Sequence, residues 1–185
     1  SAGADAGMAM LVTHLSAATA TIVWMAIEWV RFGKPSLVGA VTGTIAGLAA
    51  ITPAAGVVGP LAAVILGAVA GGLCFAAVVL VKRAMQVDDA LDVLGVHGVG
   101  GALGTLLLPF LAMIGTGGVP SALGMTGQFT AQLIGVVSVA LWSAVVTFAI
   151  TKLAALTVGL RIDPEGETTG LDFAAHGETG YHVMR

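Results

Sequence analysis

The feature that most limits what this chain can fold into is a succession of apolar stretches, each about as long as a lipid bilayer is thick. A helix needs about 20 mostly apolar residues to cross a hydrocarbon core of ~30 Å, and charged residues or Pro/Gly clusters cut the sequence into pieces of that size. Five result: residues 8–30, closed by Glu28, Arg31 and Lys34; residues 36–51, stopped at Thr52 and Pro53; and residues 57–81, ended by Lys82 and Arg83. An acidic connector with Asp88, Asp89 and Asp92 leads into residues 93–114, and an uncharged loop at 115–128 precedes residues 129–160. Of the 185 residues, 57% are hydrophobic and 9% are charged, whereas soluble domains carry about 25% charged residues. The expected fold is an all-α membrane protein with about five transmembrane helices in residues 1–160 and a polar tail at 161–185.

Charge sets the orientation and removes one class of partner. A net charge of -3 with seven Lys plus Arg leaves no basic face to neutralise a run of phosphates, so nucleic-acid binding is excluded. Lys and Arg in short loops stay on the cytoplasmic side. Arg31 and Lys34 follow the first stretch, Lys82 and Arg83 the third and Arg161 the fifth, while the loops after the second and fourth have none. This bias puts the tail in the cytoplasm and the N-terminus outside, and an outside N-terminus without a signal sequence implies an earlier span. The fifth stretch, ~32 helical residues at ~1.5 Å each, exceeds the hydrocarbon core and should tilt or project, with Lys152 near the inner interface.

Small residues then suggest how the helices meet. Gly39, Gly43 and Gly47, Gly67 and Gly71, and Gly100 and Gly104 recur at four-residue spacing, which lets helix backbones approach closely in lipid. Cys74 stands alone in an apolar stretch, can form no internal disulfide, and is expected to pack as a small hydrophobe.

His97 is the residue that points to function. An imidazole inside an apolar span is costly unless it has a partner or lines a cavity. Gly95 and Gly98 flank it and leave open space beside the ring, which suits a small permeant. Asp88, Asp89 and Asp92 precede the fourth span, where carboxylates accept from free backbone N–H groups; capping accounts for at least two of them, and they are also candidates for an inner pore mouth that attracts a cation. His14 is expected to make a helix-to-helix hydrogen bond. A metalloenzyme using these acids and His97 is disfavoured, because no His-Glu-x-x-His motif or Cys cluster accompanies them.

The stretch Asp88-Asp89-x-x-Asp92-Val93-x-Gly95-Val96-His97-Gly98-Val99-Gly100-Gly101 resembles the signature of the ammonium transporter and Rh family. Three more segments are similar to that family in order: Ile27-Glu28-Trp29 to Gly33-Lys34-Pro35-Ser36, then Gly39 to Leu48 with Thr52-Pro53-Ala54, and finally Gly159-Leu160-Arg161 with Gly170, Leu171, Asp172, His176, Gly177, Glu178 and Tyr181. The resemblance implies an eleven-helix protomer in a plasma (inner) membrane, of which this chain supplies helices seven to eleven. It further implies a homotrimer with one ammonium/ammonia pore per subunit, no enzyme activity and no cofactor. By the same resemblance His97 is the second of two pore histidines, the first being supplied by helices one to six. Val93, one turn earlier, shares its pore-facing side. Ser1 is a candidate for the outer recruitment site. Gly170, Asp172, His176, Gly177, Glu178 and Tyr181 form a regulatory tail that couples to P-II-type proteins. An ammonium sensor is the alternative reading.

Overall fold

The turn after the first helix shows how local chemistry divides this apolar chain. Gly33 takes a left-handed conformation (φ 79°) and returns its N–H to the Trp29 carbonyl at 2.9 Å, which ends the helix. Three residues on, the Ser36 hydroxyl accepts from the Gly39 N–H at 2.8 Å and starts the next one. The Glu28 carboxylate accepts from the Ser36 N–H at 2.7 Å and ties the two ends together.

The computed structural model describes residues 2–114 and 122–180, and every regular element among them is helical. In chain order they are α1 (Ala4–Phe32), α2 (Leu37–Ile51), α3 (Pro60–Val79) with a π turn at Leu80–Ala84, a second π turn at Val93–Gly98 running into α4 (Val99–Leu111), α5 (Gly124–Thr157), α6 (Pro164–Thr169) and α7 (Leu171–His176). Among the described residues, four segments are long and apolar enough to cross a membrane: 4–32, 60–84, 93–111 and 124–157. At 15 residues, or ~22 Å, α2 is shorter than the hydrocarbon core. The irregular segment after α2 is partly covered by protein: Ala54 and Val58 are buried, while Thr52, Pro53 and Gly56 are exposed.

Residues 1–137 form one unit and 138–185 a second. In the first, α1 and α3 run parallel: Ser16 lies against Gly67, Ala20 against Gly71, and the Trp24 ring meets Phe75 edge-on at 5.1 Å. α2 runs antiparallel to α1, with Gly43 beside Trp24 and Gly47 beside Ser16 and Ala17. α4 packs on the other side of the α2–α3 pair, where Gly100 meets Ala46, Ala49 and Cys74, and Gly104 meets the Ala50 carbonyl. Arg31, Lys34, Lys82 and Arg83 therefore share one end of the bundle, opposite Thr52, as the loop charges lead one to expect; Gly118, expected on the Thr52 side, lies outside the described residues.

Three expectations need correction. Residues 124–128, read as loop, form the first turns of α5; their polar Thr126 and Gln128 hide a helix start from an apolar-run criterion. The same helix stops at Thr157 rather than 160, where Gly159 turns left-handed (φ 79°) and donates to the Ala154 carbonyl. His14 makes no helix-to-helix bond among the described residues: its Nδ1 lies 3.2 Å from the Met10 carbonyl of its own helix and the residue is exposed.

The glycine contacts carry a test. A methyl group at Gly104 would collide with the Ala50 carbonyl, whereas one at Gly72 meets nothing within 4 Å. Gly104→Ala should cost about 1–3 kcal/mol through overpacking, and Gly72→Ala should be neutral or stabilising by up to about 1 kcal/mol. Unfolding midpoints of the purified variants in detergent check this, and equal midpoints would disprove close packing at Gly104.

Candidate functional site

The fourth span has two unlike faces. Gly95 fits against Val78 of α3, Val96 is buried with its carbonyl 3.9 Å from the Cys74 Sγ, and Gly100 and Gly104 press on α2. On the other side Val93 is 54% exposed, His97 is exposed, and Gly101 and Thr105 are half-buried. A methyl at Gly101 would meet nothing within 4 Å, and the Thr105 hydroxyl is satisfied by the Gly101 carbonyl at 2.8 Å. The result is an open wall of small and apolar groups with one imidazole in it. Among the described residues nothing hydrogen-bonds to the His97 ring.

The π turn explains the alignment. An α-helix advances about 100° per residue; a π turn is wider, so over six residues it falls behind by roughly a third of a turn. Counted back from Gly101, a continuous α-helix through residues 93–98 would set His97 about 40° and Val93 about 80° off that line, toward the glycine face that packs on α2. The π turn at Val93–Gly98 instead brings both onto the line of Gly101 and Thr105.

The three carboxylates before the turn have separate roles. Asp89 accepts from the N–H groups of Val93 (2.8 Å), Leu94 (2.9 Å) and Gly95 (3.4 Å), so it satisfies donors that a helix start leaves free. Asp92 makes no cap bond; its backbone is left-handed (φ 57°) and its Oδ1 lies 2.6 Å from the Lys82 Nζ. Asp88 is exposed. Capping, expected for at least two of the three, thus falls to Asp89 among the described residues. Lys82 is the residue that sequence reasoning missed, because its only signal there is a loop charge. Among the described residues no group of three or more His, Cys, Asp or Glu side chains could hold a metal ion.

The profile of the Ammonium Transporter Family matches residues 1–181. The chain belongs to the ammonium transporter family. A relative in Methanothermobacter thermautotrophicus is 44% identical over 189 residues, covering 99% of this chain and 46% of its own length. An ammonium transporter of Aquifex aeolicus is 41% identical over 183 residues, covering 98% of this chain and 43% of its own length. The chain thus spans less than half the length of these relatives. Among solved structures, one titled Sensor Amt Protein superposes with a TM-score of 0.85 at 27% identity, over 94% of this chain and 43% of that one. Saccharomyces cerevisiae Mep2 gives 0.73 at 34% identity, over 85% and 39%.

Two of the tail residues singled out from the sequence have a backbone reason to be glycine. Gly170 (φ 97°) joins α6 to α7, and Gly177 (φ 66°) ends α7 with its N–H on the Phe173 carbonyl at 3.0 Å. α6 is started by Asp163, which accepts from Gly166 N–H at 2.6 Å, and is braced by Arg161 against Glu167 at 3.0 Å. Asp172, His176 and Glu178 are exposed on this short helical tail. Ser1 and Tyr181 lie outside the described residues.

The cap on the π turn can be tested by substitution. Asp89→Ala leaves three N–H groups without their acceptor and should cost about 1–2 kcal/mol, read as a lowered unfolding midpoint, while Asp88→Ala should change little. Equal midpoints for the two variants would contradict the cap.

Proposed function

We propose that the complete transporter containing this segment conducts ammonia, derived from ammonium, through a narrow pore for which the Val93–His97–Gly101–Thr105 face is one wall. The observation that carries the reading is His97: its imidazole is exposed on a segment long and apolar enough to cross a membrane, where it is too costly to leave against lipid, so a polar pathway or a second polar residue would cover it. Helices one to six, which on this reading make up the rest of the complete protein, would supply the facing wall and the second histidine.

The chemistry fits the permeant. Ammonium and potassium carry the same charge at similar size, so a ring of charges or carbonyls separates them poorly. A narrow apolar pore admits ammonia and rejects potassium, because ammonium can lose its proton and potassium cannot become neutral. A neutral imidazole has one donor and one acceptor nitrogen, which matches ammonia as both acceptor and donor. Asp88, Asp89 and Asp92 would stand at the inner mouth, where Asp88 can attract a cation while Asp89 and Asp92 hold the turn. Ser1 would belong to the outer recruitment site.

The same proposal sets the protein in a plasma membrane as a homotrimer with the Arg31–Lys82 end and the tail in the cytoplasm. There Gly170, Asp172, His176, Gly177, Glu178 and Tyr181 would form a surface for a P-II-type regulator. The likeness to the structure titled Sensor Amt Protein favours one second reading, an ammonium sensor, which would bind ammonium without appreciable flux.

His97→Ala in the complete protein tests the pore. The variant should fold, and methylammonium flux into vesicles should fall sharply or be joined by a potassium leak; leaving a facing polar group unpaired should also cost about 1–3 kcal/mol. Wild-type flux and wild-type selectivity would remove His97 from the pore. Orientation is checked in a Cys74→Ala background by labelling Lys34→Cys and Thr52→Cys with an impermeant thiol reagent in sealed cells. Only Thr52→Cys should react from outside, and labelling of Lys34→Cys from outside would reverse the topology.

A further inference from the structure

We propose that Lys82 is a positioning residue for His97: its ion pair with Asp92 fixes the residue at which the π turn starts, and so decides which face of the fourth span carries the imidazole. The proposal rests on the reading of His97 as a pore residue.

Lys82 lies in the π turn that ends α3, Leu80–Ala84, and Asp92 immediately precedes the π turn Val93–Gly98. The 2.6 Å contact between Lys82 Nζ and Asp92 Oδ1 is an ion pair and not an aligned hydrogen bond, since the buried Oδ1 has no hydrogen-bond partner among the described residues, and it joins these two irregular ends by charge. Asp92 has φ 57°, a left-handed conformation that Asp adopts more readily than most residues with a β-carbon, with local polar contacts of its side chain helping to hold it. Its own carboxylate is not used on the helix start, which Asp89 serves. The Asp92 carbonyl accepts from the Val96 N–H at 2.8 Å. A rotation at Asp92 therefore re-aims the acceptor of the first turn and shifts the register of Val93 and His97.

Packing alone does not prevent that rotation. Asp92 borders a cavity of about 190 Å³ shared with Glu28, Ser36 and Trp24, so there is space into which the connector could relax. The pair is only partly screened by solvent, with the Lys82 side chain 39% exposed and that of Asp92 17%, and a single ion pair of this kind contributes modestly to stability. The role inferred for this one is directional: it selects one of two arrangements of the turn.

The test uses the complete transporter in vesicles and reads both flux and the aim of position 97. Lys82→Met removes the cation. Asp92→Gly removes the carboxylate but tolerates the left-handed backbone, so its folding is not compromised at φ 57°. Lys82→Arg keeps the charge. Aim is read in a Cys74→Ala, His97→Cys background as the rate of labelling by neutral methyl methanethiosulfonate. Lys82→Met and Asp92→Gly should each lower methylammonium flux and the labelling rate at position 97 by at least about tenfold, as misplacement of a reacting group does, and Lys82→Arg should retain both. Wild-type flux and labelling in Lys82→Met and Asp92→Gly would overturn the proposal. So would lost flux with unchanged labelling, because the pair would then act elsewhere than on position 97. Wild-type flux in His97→Ala would instead overturn the pore reading, a result independent of the labelling rates.

Discussion

Backbone contact at glycine is the interaction on which the rest of this bundle depends. Lipid tails are as apolar as leucine, so no hydrophobic force gathers helices in a membrane, and dispersion at close range has to do it. Ser16 on α1 shows how tightly this is arranged. Its backbone meets both Gly47 of α2 and Gly67 of α3, and its hydroxyl donates to the Gly47 carbonyl at 2.9 Å. One turn of α1 thus sets the spacing of two other helices, and those two together form the surface on which α4 rests through Gly100 and Gly104.

This arrangement makes the fourth span asymmetric. Its glycines must face α2 and α3, and whatever lies opposite is left open. In a regular helix the residues before Val99 would continue the buried face. The π turn breaks that continuity, at the cost of a left-handed Asp92 and with Asp89 accepting three N–H groups. Irregular helical turns of this kind occur frequently at functional sites. Here the irregularity places an imidazole on an open wall and leaves the packing beyond it undisturbed.

Much of the fold was legible from the residues. Spans follow from apolar length, the glycine stripes mark the faces that meet, and the burial of Cys74 follows from its setting. Belonging to the ammonium transporter family was legible from the stretch around His97 and is shown by the match over residues 1–181. What could not be read depends on geometry that has no sequence period. The π turn has no residue code, since Val93 to Gly98 would serve equally in an α-helix. The Lys82–Asp92 pair joins residues across a connector whose path is set by Gln86 and Asp92, both with positive φ. The start of α5 at Gly124 is polar, and apolar runs cannot mark it. His14 lies on the side of α1 turned away from α2 and α3, and its spacing alone does not tell a helix-to-helix bond from one to its own backbone.

The central claim is that the π turn aims His97 at the permeation path. An experimental structure of the complete transporter in a lipid bilayer, at a resolution that shows the His97 ring, tests it most directly. The expected result is a wide turn at residues 93–98, with the ring beside Val93, Gly101 and Thr105 and facing a polar residue of the other half across a narrow apolar channel. A continuous α-helix through residues 93–98, with His97 packed between α2 and α3 and no channel beside it, would contradict the claim.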